Sequence, residues 1–297
     1  MTKPLLSIKN LSVDFTVGST ALPDATQVIH AVRNVSLNIR KGETLALVGE
    51  SGSGKSVTAH SVLRLLPASA SHPSGVIEFN GLDLLGMPKA RMREIRGGRI
   101  GMIFQEPMIS LNPLHTIEKQ ISETLLLHQG FSRKQARDRV LELLHLVEIQ
   151  NAEQRLNAFP HELSGGQRQR VMIAMALANK PDFLIADEPT TALDVTVQAQ
   201  VLDLIKRLQA QLGMSVLLIT HDLGIVHDHA DRVAVMTQGE LVECGDTEQV
   251  FTRPEHPYTR ALLAAEPSGS PVAEKPKAPT LLKTEKLRVW FPIKKGV

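Results

Sequence analysis

The sequence predicts an α/β fold in which helices cover both faces of a parallel sheet, with a flanking antiparallel β unit and an inserted helical unit. Three observations carry that prediction. The apolar run Thr44 to Val48 leads directly into a Gly-rich turn and then a helix-like segment. Beyond Asp182, buried-strand and helix patterns alternate: Phe183 to Asp187, Val195 to Leu212, Ser215 to Thr220. Apolar runs of this kind mark strands covered on both faces, and their alternation with helices marks a parallel sheet. Between these halves, Thr116 to Gln129 and Ser132 to Val147 read as two successive amphipathic helices,.

Taken in order, Leu5 to Phe15 reads as a first strand, and Thr16 to Gln27 is a polar excursion that makes a hairpin loop. Val28 to Ile39 resumes strand-like alternation, and Lys41-Gly42-Glu43 turns into the strand ending at Val48,. Val57 to Leu66 is expected as a helix, and Val76 to Gly81 as a strand with a turn. The early strands together form the antiparallel sheet. Ser132 and Gln135 have capping-box spacing at the start of the second middle helix,. A long helix is expected from Arg168 to Ala178, and a hairpin over Arg232 to Gly245 turning at Gln238-Gly239. The helical insertion runs roughly from Pro107 to Glu162.

Bulk properties exclude several function classes. A hydrophobic fraction of 42% supports a buried core, whereas 3% aromatics argues against a stacking platform for single-stranded nucleic acid,. A net charge of +2 supplies no global field toward DNA or anionic lipid,. The single cysteine, Cys244, excludes an internal disulfide framework and a Cys-based metal site,. Arg91, Arg93, Arg96 and Arg99 read as a solvated basic face, not a nucleic-acid site,. Met1 to Pro4 leads straight into a strand with no signal peptide, and no apolar run reaches the ~18 residues of a membrane span,. The expectation is a soluble, cytoplasmic protein.

The chemistry concentrates in three places. Gly49-Glu50-Ser51-Gly52-Ser53-Gly54-Lys55-Ser56 is a GxxxxGK[ST] phosphate loop following a strand and opening a helix at Val57,. Its glycines let successive N–H groups face a polyphosphate; Lys55 brings charge to the β- and γ-phosphates, and the Ser56 hydroxyl reaches Mg²⁺. Asp187 and Glu188 end a buried strand as adjacent carboxylates. Asp187 is suited to hold the metal, largely through its water shell, and Glu188 to polarise the attacking water. Leu163-Ser164-Gly165-Gly166-Gln167 places a hydroxyl and two glycines at a helix N-terminus, a second anion site,.

Phosphate loop, LSGGQ and Asp187-Glu188 in this order resemble the ATP-binding subunit of an ABC transporter. The resemblance implies a P-loop NTPase (RecA-like) core carrying the antiparallel and helical units. It also implies roles for further residues: Gln105 as the glutamine that contacts Mg²⁺ and signals to the membrane partner, and Ala192-Leu193-Asp194 as the loop that communicates between sites. His221 matches the histidine that contacts the γ-phosphate, and Phe15 the aromatic that stacks on adenine. In that family two cassettes pair head to tail, so Ser164, Gly165, Gly166 and Gln167 act on nucleotide bound by the partner.

Two segments resemble the peptide-importer branch: Glu106 to Pro113, and His256-Pro257-Tyr258-Thr259 followed by Arg260-Ala261-Leu262-Leu263. With no cysteine after Cys244, the iron–sulfur cluster of some members is not expected. The ATPase domain is read as residues 1–266, followed by a Pro/Ala/Lys-rich linker, 267–280,. Leu281 to Phe291 then echoes Leu5 to Phe15, so 281–297 is expected to open a second, truncated cassette,. In that respect the chain is similar to the N-terminal half of double-length ATPases of microcin C-type oligopeptide importers. The implied partners are a second cassette, fused or in a homodimer, two permease subunits and, indirectly, a periplasmic solute-binding protein. The implied location is the inner face of the bacterial inner membrane. Two alternatives compete: a soluble ABC-type ATPase acting on ribosomes or DNA, which lacks support from any long charged block or heptads, and a nucleotide kinase, which leaves LSGGQ without a role.

Overall fold

The computed structural model describes residues 3–17, 27–106, 110–191, 193–265, 279–280 and 282–290. The chain divides into two compact units, Met1–Ala265 and Glu266–Val297. The first holds every helix and strand described below; the described residues of the second carry neither.

Two sheets organise the first unit. The larger has the order β10-β9-β3-β8-β7-β6. Its strands are β3 (Thr44–Val48), β6 (Ile100–Ile103), β7 (Phe183–Asp187), β8 (Ser215–Ile219), β9 (Arg232–Thr237) and β10 (Glu240–Asp246). All neighbours pair in parallel except β10, which returns antiparallel along β9. The smaller sheet, β2-β1-β4-β5, is antiparallel and contains β1 (Leu6–Val17), β2 (Gln27–Ile39), β4 (Ala70–Phe79) and β5 (Leu82–Asp83).

The apolar runs behave as double-faced strands. In β7, Phe183 and Ile185 join one core with β1, β2 and β4, while Leu184 and Ala186 join another with the insertion helices. In β3, Leu45 and Leu47 face the antiparallel sheet, and Ala46 and Val48 a third cluster beneath the C-terminal helices.

The helices are α1 (Lys55–Val62), α2 (Lys89–Ile95), α3 (Ile117–Gln129), α4 (Arg133–Leu146), α5 (Ala152–Arg155) and α6 (Gly165–Leu177). They continue with α7 (Val195–Leu212), α8 (Leu223–His229), α9 (Thr247–Thr252) and α10 (Pro257–Ala264). The expected capping box at Ser132 and Gln135 is formed in both directions. Ile117, Ile121 and Leu125 of α3 and Val140, Leu143 and Leu144 of α4 share a core with Val171 and Met172 of α6. Helix α6 is therefore embedded in the insertion's core as well as the sheet's.

Several boundaries differ from the sequence reading. Helix α1 stops at Val62, not Leu66, because Arg64 turns to φ +51° and Pro67 disfavours helical geometry before it,. Strand β4 begins at Ala70, six residues ahead of Val76, since pairing with β1 carries its polar stretch through two register shifts. Helix α6 starts at Gly165, three residues before Arg168, because Ser164 caps it. The arginine run is not simply a solvated face. Arg96 donates to the carbonyls of Leu63 and Arg64 just beyond α1, and Arg99 pairs with Asp182 and lies over the Phe79 ring,. The expected hairpin loop falls largely on residues 18–26, outside the described residues, though β1 and β2 pair up to Val17 and Gln27. The expected linker, 267–280, lies mostly outside them as well; of the expected second opening strand, residues 282–290 are described and form no strand.

Candidate functional site

Two backbone carbonyls leave no room for side chains at Gly49 and Gly54 of the phosphate loop. A Cβ on Gly49, at φ +142°, would lie 2.0 Å from the Met236 carbonyl oxygen, and one on Gly54, at φ +100°, 2.6 Å from that of Ala31. The β9–β10 turn is bonded to the loop, Gly239 N–H donating to Ser53 O at 3.1 Å, and to β2, Arg33 N–H donating to Gly239 O at 2.7 Å. Gly54 precedes α1 in left-handed geometry, and the Thr58 hydroxyl closes back onto its carbonyl.

Lys55 lies within this loop and is almost fully buried. Its Nζ donates to the Gly49 and Glu50 carbonyls, both at 2.8 Å, and reaches Ser53 Oγ at 3.4 Å. Burial pushes its pKa down, while the carboxylates of Glu188, Asp187 and Glu50 pull it back up. The ammonium is held among carbonyls and carboxylates, as a group awaiting anionic oxygens must be.

Ser56 and Asp187 come together across the sheet: Ser56 Oγ donates to Asp187 Oδ1 at 2.9 Å. A hydroxyl and a buried carboxylate beside a phosphate loop are the hard oxygen donors that Mg²⁺ accepts, with its other positions left to water and phosphate. His60, one turn along α1 from Ser56, brings Nε2 to 3.2 Å from Asp187 Oδ2, off the line of a hydrogen bond.

Glu188 occupies a bend of its own. Its φ is +45°, a left-handed value seldom adopted by a non-glycine residue, and its N–H donates to Ile219 O at 2.9 Å,. The bend carries its carboxylate to three partners. Gln105 Nε2 donates to Oε2 at 2.9 Å, Thr191 Oγ1 donates to the same oxygen at 3.0 Å, and His221 Nδ1 stands 3.5 Å from Oε1. A cavity of about 220 Å³ opens here, lined by Glu188, Thr191, Leu193, Thr220, His221 and Asp222. Gln105, expected to contact Mg²⁺, lies within hydrogen-bond reach of Glu188 here.

The LSGGQ residues gather elsewhere. Ser164 caps α6 and Gln167 bonds back to Ser164 N–H, a complete capping box. Gly166 lies against α7, where an added Cβ would meet Val197 Cγ1 at 2.9 Å. Asp194 caps α7 through Val197 N–H; Ala192, its neighbour in the expected loop, lies outside the described residues. None of Ser164, Gly165, Gly166, Gln167 and Asp194 has a hydrogen bond to the phosphate loop among the described residues. Phe15 is half-buried in β1, paired with Ile29 and Ala70. Of the Glu106 to Pro113 segment, residues 107–109 lie outside the described residues.

The chain matches the ABC transporter family over residues 32–191, more than half its length. It belongs to that family. Residues 242–287 match the C-terminal region of oligopeptide/dipeptide transporters. The chain is 61% identical, over its full length, to the peptidoglycan transport ATP-binding protein YejF of Agrobacterium fabrum, and covers 53% of that relative. It is 51% identical over 266 residues to the oligopeptide transport ATP-binding protein OppD of Bacillus subtilis, spanning 89% of this chain and 72% of the relative. The chain thus spans about half the length of the first of these relatives. The fold resembles a dimeric post-hydrolysis structure of the ATP-binding cassette MJ0796 bound to ADP and Pi, with TM-score 0.71 and 31% identity. That match covers 82% of this chain and 98% of the other.

Within this ABC cassette the sequence reading missed His60, Thr191 and the role of Tyr258. His60 stands four residues from Ser56 and Thr191 three from Glu188, spacings that bring side chains together in helices and turns,. Tyr258 donates nothing to the site in sequence; only the fold brings it to the loop.

Proposed function

We propose that this chain is the ATP-binding and ATP-hydrolysing motor of an importer for oligopeptides or peptide-like compounds. The observation that carries the reading is Glu188, held by Gln105, Thr191 and His221 beside the Lys55 loop and the Ser56–Asp187 pair. In this reading the loop's N–H groups and Lys55 bind the phosphates, and Glu188 orients and polarises the attacking water. His221 and Gln105 hold the Glu188 carboxylate. Mg²⁺ would be held by Ser56 and Asp187, and it neutralises charge on the β- and γ-phosphates when bound.

The name of one relative, an oligopeptide transport ATP-binding protein, supports the peptide branch, and that of the other, a peptidoglycan transport ATP-binding protein, fits the peptide-like compounds. The match of residues 242–287 also supports the peptide branch. Partners follow from the same reading: a second cassette whose Ser164-bearing helix end closes this chain's nucleotide, two permease subunits, and a solute-binding protein acting through them. No described helix is long and apolar enough to cross a membrane; the reading places the chain on the inner face of the cell membrane, against the permeases. The echo of Leu5 to Phe15 at 281–291, together with a relative nearly twice as long, supports 281–297 as the opening of a second cassette.

Hydrolysis assayed across protein concentrations tests the shared site. Specific activity should rise with concentration, as a site completed by two chains requires. Activity independent of concentration in a demonstrated monomer would overturn it.

A further inference from the structure

The last helix of the first unit is fastened to the phosphate loop through the chain's single tyrosine. Glu243 on β10 accepts from the N–H groups of Glu255 and His256, at 2.8 and 3.0 Å. Arg260 closes the same turn by donating to the carbonyls of Pro254 and Glu255. His256 then caps α10, its Nδ1 accepting from Tyr258 N–H at 3.2 Å, with Pro257 in the first turn,. The Tyr258 ring packs on the cluster of Ala46, Val48, Val226, Val235 and Val250, directly beneath the strand that delivers the loop.

From that fixed position the Tyr258 hydroxyl accepts a hydrogen bond from Glu50 N–H at 3.1 Å. The Glu50 carbonyl in turn accepts from Lys55 Nζ at 2.8 Å. One residue of the loop therefore joins the phenol to the ammonium. Glu50 is itself exposed, so this tie restrains a part of the loop that water could otherwise loosen.

We propose that Tyr258 is a positioning residue for nucleotide binding, holding the Glu50 peptide so that the loop and Lys55 keep their phosphate-ready shape. The inference rests on the reading of this loop as the ATP site. A restrained loop leaves less ordering to be done on binding, and so favours affinity. The tie lies outside the reacting atoms and is the same before and during hydrolysis, so it acts on binding and not on the chemical step.

Tyr258→Phe keeps the ring and removes the acceptor. In the full chain, Kd and KM for ATP should rise about fivefold, the scale of one hydrogen bond, with kcat unchanged and Tm lowered by no more than about 4 °C. Kd for inorganic tripolyphosphate should rise by the same factor, because the tie acts at the phosphate end. Wild-type Kd and KM in this variant would overturn the inference alone. A rise for ATP without one for tripolyphosphate would also overturn it, as would a fall in Tm with a matching fall in kcat, which marks a structural role. A wild-type chain that binds no ATP overturns this inference together with the proposed function.

Discussion

The phosphate loop and the Ser164 helix end are both built to meet an anion, yet they are finished to different degrees. Around the loop, polar groups from α1, the end of β7 and the segments after β6 and β7 are bonded to one another: Lys55 to two loop carbonyls, Ser56 to Asp187, Gln105 and Thr191 to Glu188. At Ser164, among the described residues, the hydrogen-bond partners belong to its own next turn. The first is a pocket whose charges compensate each other across the sheet. The second is a capped helix end that opens onto a hollow of about 600 Å³ lined also by His145, Gln150, Val197 and Gln200. On the proposed reading, a second cassette supplies the missing half of each site.

Substitutions at four positions break or sharpen that comparison, from the largest expected effect to the smallest. Lys55→Ala removes the buried cation facing the phosphates. ATP affinity should fall at least about tenfold and hydrolysis should disappear, since charge-assisted bonds to phosphate have no substitute nearby. A nucleotide-binding titration with wild-type affinity would move the site elsewhere.

Glu188→Gln retains the shape and the bonds from Gln105 and Thr191 but cannot act as a base. Hydrolysis should drop roughly 10²- to 10⁴-fold while ATP binding persists, and gel filtration with ATP should reveal a stable dimer. Turnover near wild type would transfer the role to His221.

Ser164→Arg puts bulk and charge at the open half-site and should lower hydrolysis roughly tenfold without weakening ATP binding to the isolated chain. Ser164→Ala removes the same cap, costing about 1 kcal/mol of stability, without the bulk. If both variants lose the same activity, the cap matters and the open half-site does not.

The smallest effect concerns Glu148, just after α4, which ties the insertion to α6 and α7 through Arg170 at 2.9 Å and Arg207 at 2.6 Å. Hydrogen bonds from Arg207 and Arg170 hold its carboxylate below the ordinary 4.5. A depressed carboxylate contributes stability that is fully present above its ordinary pKa and lost as pH falls through the folded-state value. Glu148→Gln should therefore lower stability near neutrality by under ~1 kcal/mol, because the group is half exposed, and the difference from wild type should vanish in acid. A pH series of denaturant titrations reads both.

Much of this comparison was legible in the sequence because the signals were local. The glycine spacing of Gly49 to Ser56, the apolar runs of β3, β7 and β8, and the Ser164 and Ser132 caps each depend on residues a few positions apart. What stayed hidden depended on residues far apart. Arg96 reads as one of several surface cations until the fold sets it against the carbonyls of Leu63 and Arg64. The polar half of β4 carries no strand pattern and is drawn into the sheet only by pairing with β1. Tyr258 lies over two hundred positions from Glu50, so no spacing rule could join them.

The close packing of Gly49 and Gly54 against the carbonyls of Met236 and Ala31 has a consequence for how this protein can change. Both glycines answer first to their neighbours in the fold, since any larger residue would strike backbone that cannot swing aside. A descendant of this chain that had abandoned its ligand would still be obliged to keep them, whereas Lys55 and Glu188 would be free to drift. Loss of purpose in this lineage would therefore be written in the lysine and the glutamate, and the glycines would outlast it as architecture.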